Sequence, residues 1–123
     1  MYHYTRIAGM TPHKDLVAAT SVPLVLAILH EGDSYGYEIL QKVATLSDGA
    51  WTWSEGMLYP ILHKLEKAGH ISSYWKKAAG QRRRRYYHLE DLGSLELVDR
   101  MNAWRSVDAI LARACPDLPS QES

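Results

Sequence analysis

The chain has 123 residues, 46% of them apolar, with four Trp, eight Tyr and no Phe, which suits the core of a single domain of modest size. Fourteen Lys/Arg balance fourteen Asp/Glu, no apolar run approaches the ~20 residues that cross a bilayer, and residues 1–14 lack the apolar centre of a secretion signal. The single cysteine, Cys115, excludes an intrachain disulfide framework and fits a reducing cytoplasm.

The zero net charge hides a sorted distribution. Residues 1–53 carry a net −2, residues 54–88 a net +6, and residues 89–123 a net −4. Residues 76–85 hold six cations and no carboxylate. A run of this kind is either a solubilising loop tip or a phosphate-binding surface.

Residues 1–13 read as a flexible arm. Asp15 to Glu31 is helical in character, and Pro23 within it predicts a kink or a second start after Thr20-Ser21. Gly32-Asp33-Ser34 is expected to stop this helix and cap the next, Tyr35 to Leu46, where Ile39, Val43 and Leu46 recur at helical spacing. Ser47-Asp48-Gly49 ends it, and Trp51-Thr52-Trp53 is short and strand-like or irregular. A third helix, about Glu55 to Ala68, has a Leu58, Ile61, Leu62, Leu65 stripe. Thr52 and Ser54 can each cap it, and Thr52 to Glu55 has the form of a capping box. Gly69 is its C′ glycine. His70 to Trp75 and Arg84 to Leu89 read as strands joined by the basic Gly80 turn. A last helix runs from about Asp91 to Ala114, where Pro116 and Pro119 follow.

The expected fold is therefore mainly α with a small β-hairpin (α+β). The order is that of a winged helix-turn-helix with an additional C-terminal dimerisation helix: an arm at 1–13, a DNA-binding domain at 14–90, the dimerisation helix at 91–115 and a flexible tail at 116–123. In such a fold the third helix enters the major groove and the hairpin tip lies over phosphates.

Gly32-Asp33-Ser34-Tyr35-Gly36-Tyr37-Glu38-Ile39, Ser54-Glu55-Gly56-Met57-Leu58-Tyr59-Pro60, Leu65-Glu66-Lys67-Ala68-Gly69 and the run from Gly80 to Leu89 together resemble the PadR family of bacterial transcriptional regulators. The resemblance covers about residues 16–112. The short last helix is like that of the family's small members. Ile71 to Trp75 and Trp104 to Asp108 are similar to a multidrug-binding member. The family usually has Thr where Met57 stands, which bears on base preference, and often Thr where Glu90 stands, which bears on a helix cap.

This resemblance implies double-stranded DNA as the partner; the apolar surfaces of the first and last helices make a homodimer the simple reading, and a palindromic operator would follow from it. The resemblance places Tyr59 and His63 on the exposed face of the third helix, and their spacing of four agrees. Lys64 neighbours them, and Ser54 lies at the helix start, where backbone N–H groups favour phosphate. Glu55 would repel phosphate, so its expected role is capping. Tyr59 also reads as a core residue beneath the wing, and His63 as a plain solvent residue. Tyr35 reads as either a phosphate donor or a packing residue. Lys76, Lys77, Arg82, Arg83 and Arg84 are the strongest phosphate candidates, with Arg84 and Arg85 on opposite strand faces.

Leu97, Met101, Trp104, Asp108 and Leu111 follow a heptad-like spacing, and Leu97, Met101, Trp104 and Leu111 are the dimer candidates. Asp108 interrupts that seam. It pairs with Arg105 or a partner-chain cation, or else it faces a ligand cavity across the dimer axis, where Trp104 would stack a small aromatic molecule and Asp108 favour a cationic one. The multidrug-binding relative has a tryptophan and an acid at matching positions, and the resemblance adds Ala27 to that lining. The regulator is then a repressor released by its effector.

No Gly-rich phosphate loop, Cys-x-x-Cys or His-Glu-x-x-His occurs, so no catalytic residue, metal or cofactor is expected. The rival to a DNA-binding regulator is a winged-helix protein-interaction module without specific DNA binding.

Overall fold

The computed structural model describes residues 14–77 and 79–118. The arm expected at 1–13 and the last five residues of the expected tail lie outside that range. The elements are α1 (Lys14–His30), β1 (Ser34–Tyr35), α2 (Gly36–Leu46), α3 (Glu55–Lys67), β2 (Ile71–Lys77), β3 (Arg83–Leu89) and α4 (Asp91–Ala114).

α1 runs through Pro23 as one helix, so no second helix starts after Thr20-Ser21. Proline removes one donor from the ladder. Upstream hydroxyls add bonds of their own, Thr20 Oγ1 donating to Leu16 O at 2.7 Å and Ser21 Oγ to Ala18 O at 2.9 Å. Pro23 is buried beside Val25, Leu26, Ile28 and Leu29, and packing of this apolar stretch sustains the helix across the lost bond.

Ser34 does not cap α2, contrary to expectation. It is fully buried in β1, and its Oγ accepts from Lys42 Nζ at 2.8 Å. Tyr35 takes the N-cap position, and the Glu38 carboxylate reaches back to accept the Tyr35 N–H at 3.4 Å. α2 ends at Ser47, whose Oγ donates to Val43 O and accepts from Trp51 N–H, both at 2.9 Å. Asp48 and Gly49 then take positive φ, 53° and 84°, to turn the chain. Trp51 to Trp53 is irregular, and Ser54 is the cap of α3, its Oγ accepting from Met57 N–H at 3.2 Å. The Thr52–Glu55 box is therefore not the helix start.

β2 and β3 pair antiparallel from Ile71↔Leu89 to Lys77↔Arg83, and β1 adds a third strand through Ser34↔Tyr87 and Tyr35↔Tyr86, in the order β1-β3-β2. The core is the buried stripe of each element: Val25, Leu26, Ile28 and Leu29 from α1, Ile39 and Val43 from α2, and Leu58, Leu62 and Leu65 from α3, closed by Trp53, Ile71 and Tyr87. α4 contributes to its rim through Leu97. Gly93 alone of α4 is buried. A Cβ there would collide with His70 O and lie 2.7 Å from Leu89 Cδ1. α4 thus begins in close backbone contact with the foot of the hairpin, and farther along it exposes Val98, Val107, Ile110 and Leu111.

Candidate nucleic-acid interface

α3 turns Leu58, Leu62 and Leu65 inward, which leaves Gly56, Tyr59, Pro60, His63, Lys64 and Lys67 on the open side. Both readings of Tyr59 hold in part. Its ring rests on Gly36 at the start of α2, where an added Cβ would lie 2.9 Å from Tyr59 Cζ, yet the residue keeps 43% of its surface exposed. Any side chain at Gly36 would evict the phenol.

Residues opposite one another in an antiparallel ladder share a face. The register therefore puts Trp75, Lys77, Arg83 and Arg85 on the face that carries buried Ile71 and Tyr87. Tyr74, Lys76, Arg84 and Tyr86 occupy the other, joined by Tyr35 from β1. The basic candidates are thus divided between two faces. Several lie over aromatic rings: Arg83 is 4.7 Å from the centre of Trp75, Arg84 4.4 Å from Tyr35, and Lys76 Nζ 5.2 Å from Tyr86. Tyr86 in turn meets Tyr74 at 5.7 Å, stacked, and Tyr35 at 5.3 Å, edge-on. Each exposed cation–π contact stabilises by about 0.5–1 kcal/mol, enough to restrict a long side chain before it meets a phosphate.

Arg85 differs from its neighbours. Its Nη2 lies 3.2 Å from Glu66 Oε1 and its Nε donates to Ser73 Oγ at 3.0 Å. It ties the hairpin to α3 and is engaged within the fold.

The starts of α2 and α3 and the hairpin enclose one open groove, lined by Tyr35, Tyr37, Glu55, Tyr59, Trp75 and the arginines 82–85. Of the ten DNA candidates, Tyr35, Tyr59, Arg82, Arg83 and Arg84 meet there. His63 lies in a neighbouring shallow cleft with Glu66, Lys67 and Arg85. Lys64 is exposed on the flank of α3, Ser54 is engaged as the cap, and Lys76 and Lys77 sit on opposite hairpin faces. Glu55 is not the cap; it stands exposed in the groove among the arginines.

A clasp that the sequence pattern does not reveal joins the turn before β1 to both hairpin strands. The Asp33 carboxylate accepts from Tyr74 Oη at 2.7 Å and meets His88 Nδ1 at 2.8 Å. Burial works to raise the Asp33 carboxyl, but hydrogen bonds from Tyr74 and His88, with the charges of His88 and Lys76, hold it below its ordinary value. The hydrogen bond to Asp33 lifts His88 above its ordinary value against a smaller opposing effect of burial, and the same carboxylate pushes the Tyr74 phenol up to about 12. Asp33 lies 41 residues from Tyr74 and 55 from His88, so no local pattern announces the contact.

On α4, Leu97 packs against the core rim, Trp104 is half-buried, and Met101, Asp108 and Leu111 are exposed. Trp104 lines a shallow cleft with Ala19, Arg100, Ala103 and Val107. Ala27 does not belong to it. It lies in a groove between α1 and α2 with Ile28, Glu31, Gln41 and Leu46, eight residues and so about 12 Å along α1 from Ala19. Among the described residues Asp108 forms no ion pair, with Arg105 or any other cation; the pairs are Arg85–Glu66, His88–Asp33 and Arg100–Glu96. Among them, too, no group of three His, Cys, Asp or Glu is placed to hold a metal, and no helix is long and apolar enough to cross a membrane.

Residues 25–99 match the transcriptional regulator PadR-like family. A transcriptional regulator from Clostridium thermocellum superposes with a TM-score of 0.74 at 29% identity, covering 81% of this chain and 97% of that one. A PadR-like transcriptional regulator from Bacillus cereus gives 0.73 at 26% identity, over 82% and 96%. A Streptococcus mutans protein gives 0.69 at 38% identity, over 84% and 93%.

Proposed function

The chain belongs to the PadR-like family of transcriptional regulators, which bind DNA and are not enzymes, and on that premise we propose that it is a homodimeric repressor released from a palindromic operator by a small aromatic effector. Residues 14–90 form the reading head and α4 the dimerisation helix. The observation that supports the DNA-binding part of this reading is the groove between α3 and the hairpin, where Arg82, Arg83 and Arg84 converge with Tyr35 and Tyr59.

α3 enters the major groove while the hairpin cations, steadied on Trp75, Tyr35 and Tyr86, take the phosphates beside it. These charges position the protein, and α3 and the half-site spacing supply the specificity. Two reading heads joined through α4 and α1 recognise half-sites about 34–36 Å apart, one turn of the duplex, and bound there they exclude polymerase. Exposed Met101 and Leu111 with half-buried Trp104 form the α4 seam, whereas Leu97 packs inward against the core rim and is not part of it. Trp104 from each protomer stacks a planar effector, and Asp108 favours a cationic one. An effector that binds better to the DNA-free arrangement of the two heads lowers operator affinity by that difference.

Titrating a labelled duplex from the protein's own upstream promoter at several salt concentrations tests the first half. Tight binding with a steep salt slope is expected, against weak binding to a scrambled duplex. Equal, weak binding to both at every salt concentration opposes it. Trp104→Ala tests the second half: it should abolish binding of planar aromatic cations, read by calorimetry on protein that sedimentation verifies is still associated as the wild type is, and unchanged ligand affinity removes the effector site.

A further inference from the structure

Glu55 is a single carboxylate in a groove otherwise built for phosphate. It is the first residue of α3, exposed, and shares the groove with Arg82, Arg83 and Arg84. An acid in a first helical turn helps the helix, but here it also repels the ligand that the arginines attract. The capping role is taken by Ser54 Oγ, which already accepts the Met57 N–H. Among the described residues the Glu55 carboxylate takes part in none of the side-chain hydrogen bonds or ion pairs, such as those that engage Glu66 and Glu96.

The surface beside it is bare. Gly56 has no positive φ, and a Cβ there would meet only Ser54 Oγ, at an unstrained 3.7 Å. The fold does not require glycine at this position, although glycine weakens a helix relative to alanine. One turn on, Pro60 is exposed and carries no polar side chain. The Gly56–Pro60 strip therefore lets the first turns of α3 come close to a flat partner, with Glu55 and Tyr59 standing at its edge.

A carboxylate can only accept. The major groove offers it two base donors, the N4 amino group of cytosine and the N6 amino group of adenine. The adenine amino group is flanked by the N7 acceptor, which repels a carboxylate and suits an amide instead, whereas the cytosine edge presents the amino donor without that neighbour. Thymine puts the O4 acceptor where cytosine has its donor. We propose that Glu55 sets operator specificity by accepting from the N4 amino group of one cytosine in each half-site. This rests on the reading of α3 and the hairpin as the DNA face.

The test selects duplexes from a randomised pool with the wild-type protein, then measures affinity for each C·G to T·A change in wild type, Glu55→Ala and Glu55→Gln. One position per half-site should cost the wild type about tenfold to a hundredfold. Glu55→Ala should reduce that ratio to about twofold or less, and Glu55→Gln, whose amide also donates, should accept T·A there. Melting temperatures verify that the variants fold. If Glu55→Ala binds every duplex tighter by one common factor with its base preference unchanged, Glu55 only repels phosphate and the assignment is overturned. An Arg83→Glu/Arg84→Glu variant separates the two readings. Its loss of all duplex binding upholds the DNA face whatever Glu55 does, whereas a wild-type protein that enriches no sequence overturns the DNA face and the Glu55 assignment together.

Discussion

A methyl group added at Gly93 would have to occupy space already held by backbone. The ideal Cβ collides with the His70 carbonyl oxygen, stands 3.0 Å from the His70 carbonyl carbon and 2.7 Å from Leu89 Cδ1. Leu89 can rotate away. The His70 carbonyl cannot, because it accepts the Glu90 N–H at 3.0 Å and belongs to the turn between α3 and β2. Relief therefore needs α4 to lift from the foot of the hairpin. Overpacking of this kind costs about 1–3 kcal/mol, against a helix-propensity gain of at most about 1 kcal/mol, so Gly93→Ala should destabilise the fold by about 2 kcal/mol. Gly56→Ala is the matched control, because it makes the same exchange in an α3 first turn with open space around the Cβ and should stabilise by up to about 1 kcal/mol. Urea unfolding followed by tryptophan fluorescence reads both, with the protein concentration held equal so that any self-association contributes equally to each variant. For an m-value of about 2 kcal/mol/M the Gly93→Ala midpoint falls by about 1 M. A Gly93→Ala midpoint equal to or above that of Gly56→Ala would refute the packing argument.

The other predictions concern charge and assembly. Arg84→Ala should reduce the magnitude of the log–log salt slope of operator binding by about 0.9, the loss of one phosphate contact, whereas Arg85→Ala should leave the slope unchanged and lower the urea midpoint, because Arg85 is bound to Glu66 and Ser73. In an NMR titration His88 should protonate with a midpoint above 6.5 and return toward 6.5 in Asp33→Asn. Its raised pKa means that its stabilising share is complete below 6.5 and lost as pH rises through the folded value. The lowered Asp33 pKa means that its share is present above 3.8 and lost as pH falls through the folded value. The clasp is therefore tightest between those limits, with a small global effect because both groups are well solvated. Ile110→Glu with Leu111→Glu, on exposed positions of α4, should give monomers in sedimentation at concentrations where the wild type is dimeric.

α2 and α3 are legible in the chain because their core residues recur at helical spacing, as Ile39 and Val43 do on α2 and Leu58, Leu62 and Leu65 on α3. The glycines that close α2 and α3 mark their ends, and Gly49 and Gly69 do take the positive φ that such ends require. β1 is not legible, since two residues display no period; Ser34 looks like a cap until β3 is present to pair with it. The clasp of Asp33, Tyr74 and His88 and the collision at Gly93 depend on backbone brought together from distant parts of the chain. The arginine run shows the boundary most sharply. Alternation along a strand is enough to divide Arg83, Arg84 and Arg85 into two sets, but nothing local says which set faces α3. That choice follows from Tyr87 and Leu89, which lie on the parity of Arg83 and Arg85: Tyr87 enters the core and Leu89 packs against it. Burial of Tyr87 carries Arg85 over to Glu66, leaves Arg83 against Trp75 at the mouth of the groove, and sets Arg84 across the strand on Tyr35, at the rim of the same groove. The hydrophobic anchor at the base of the strand thus decides which cations at its tip are held by the fold and which remain for a phosphate.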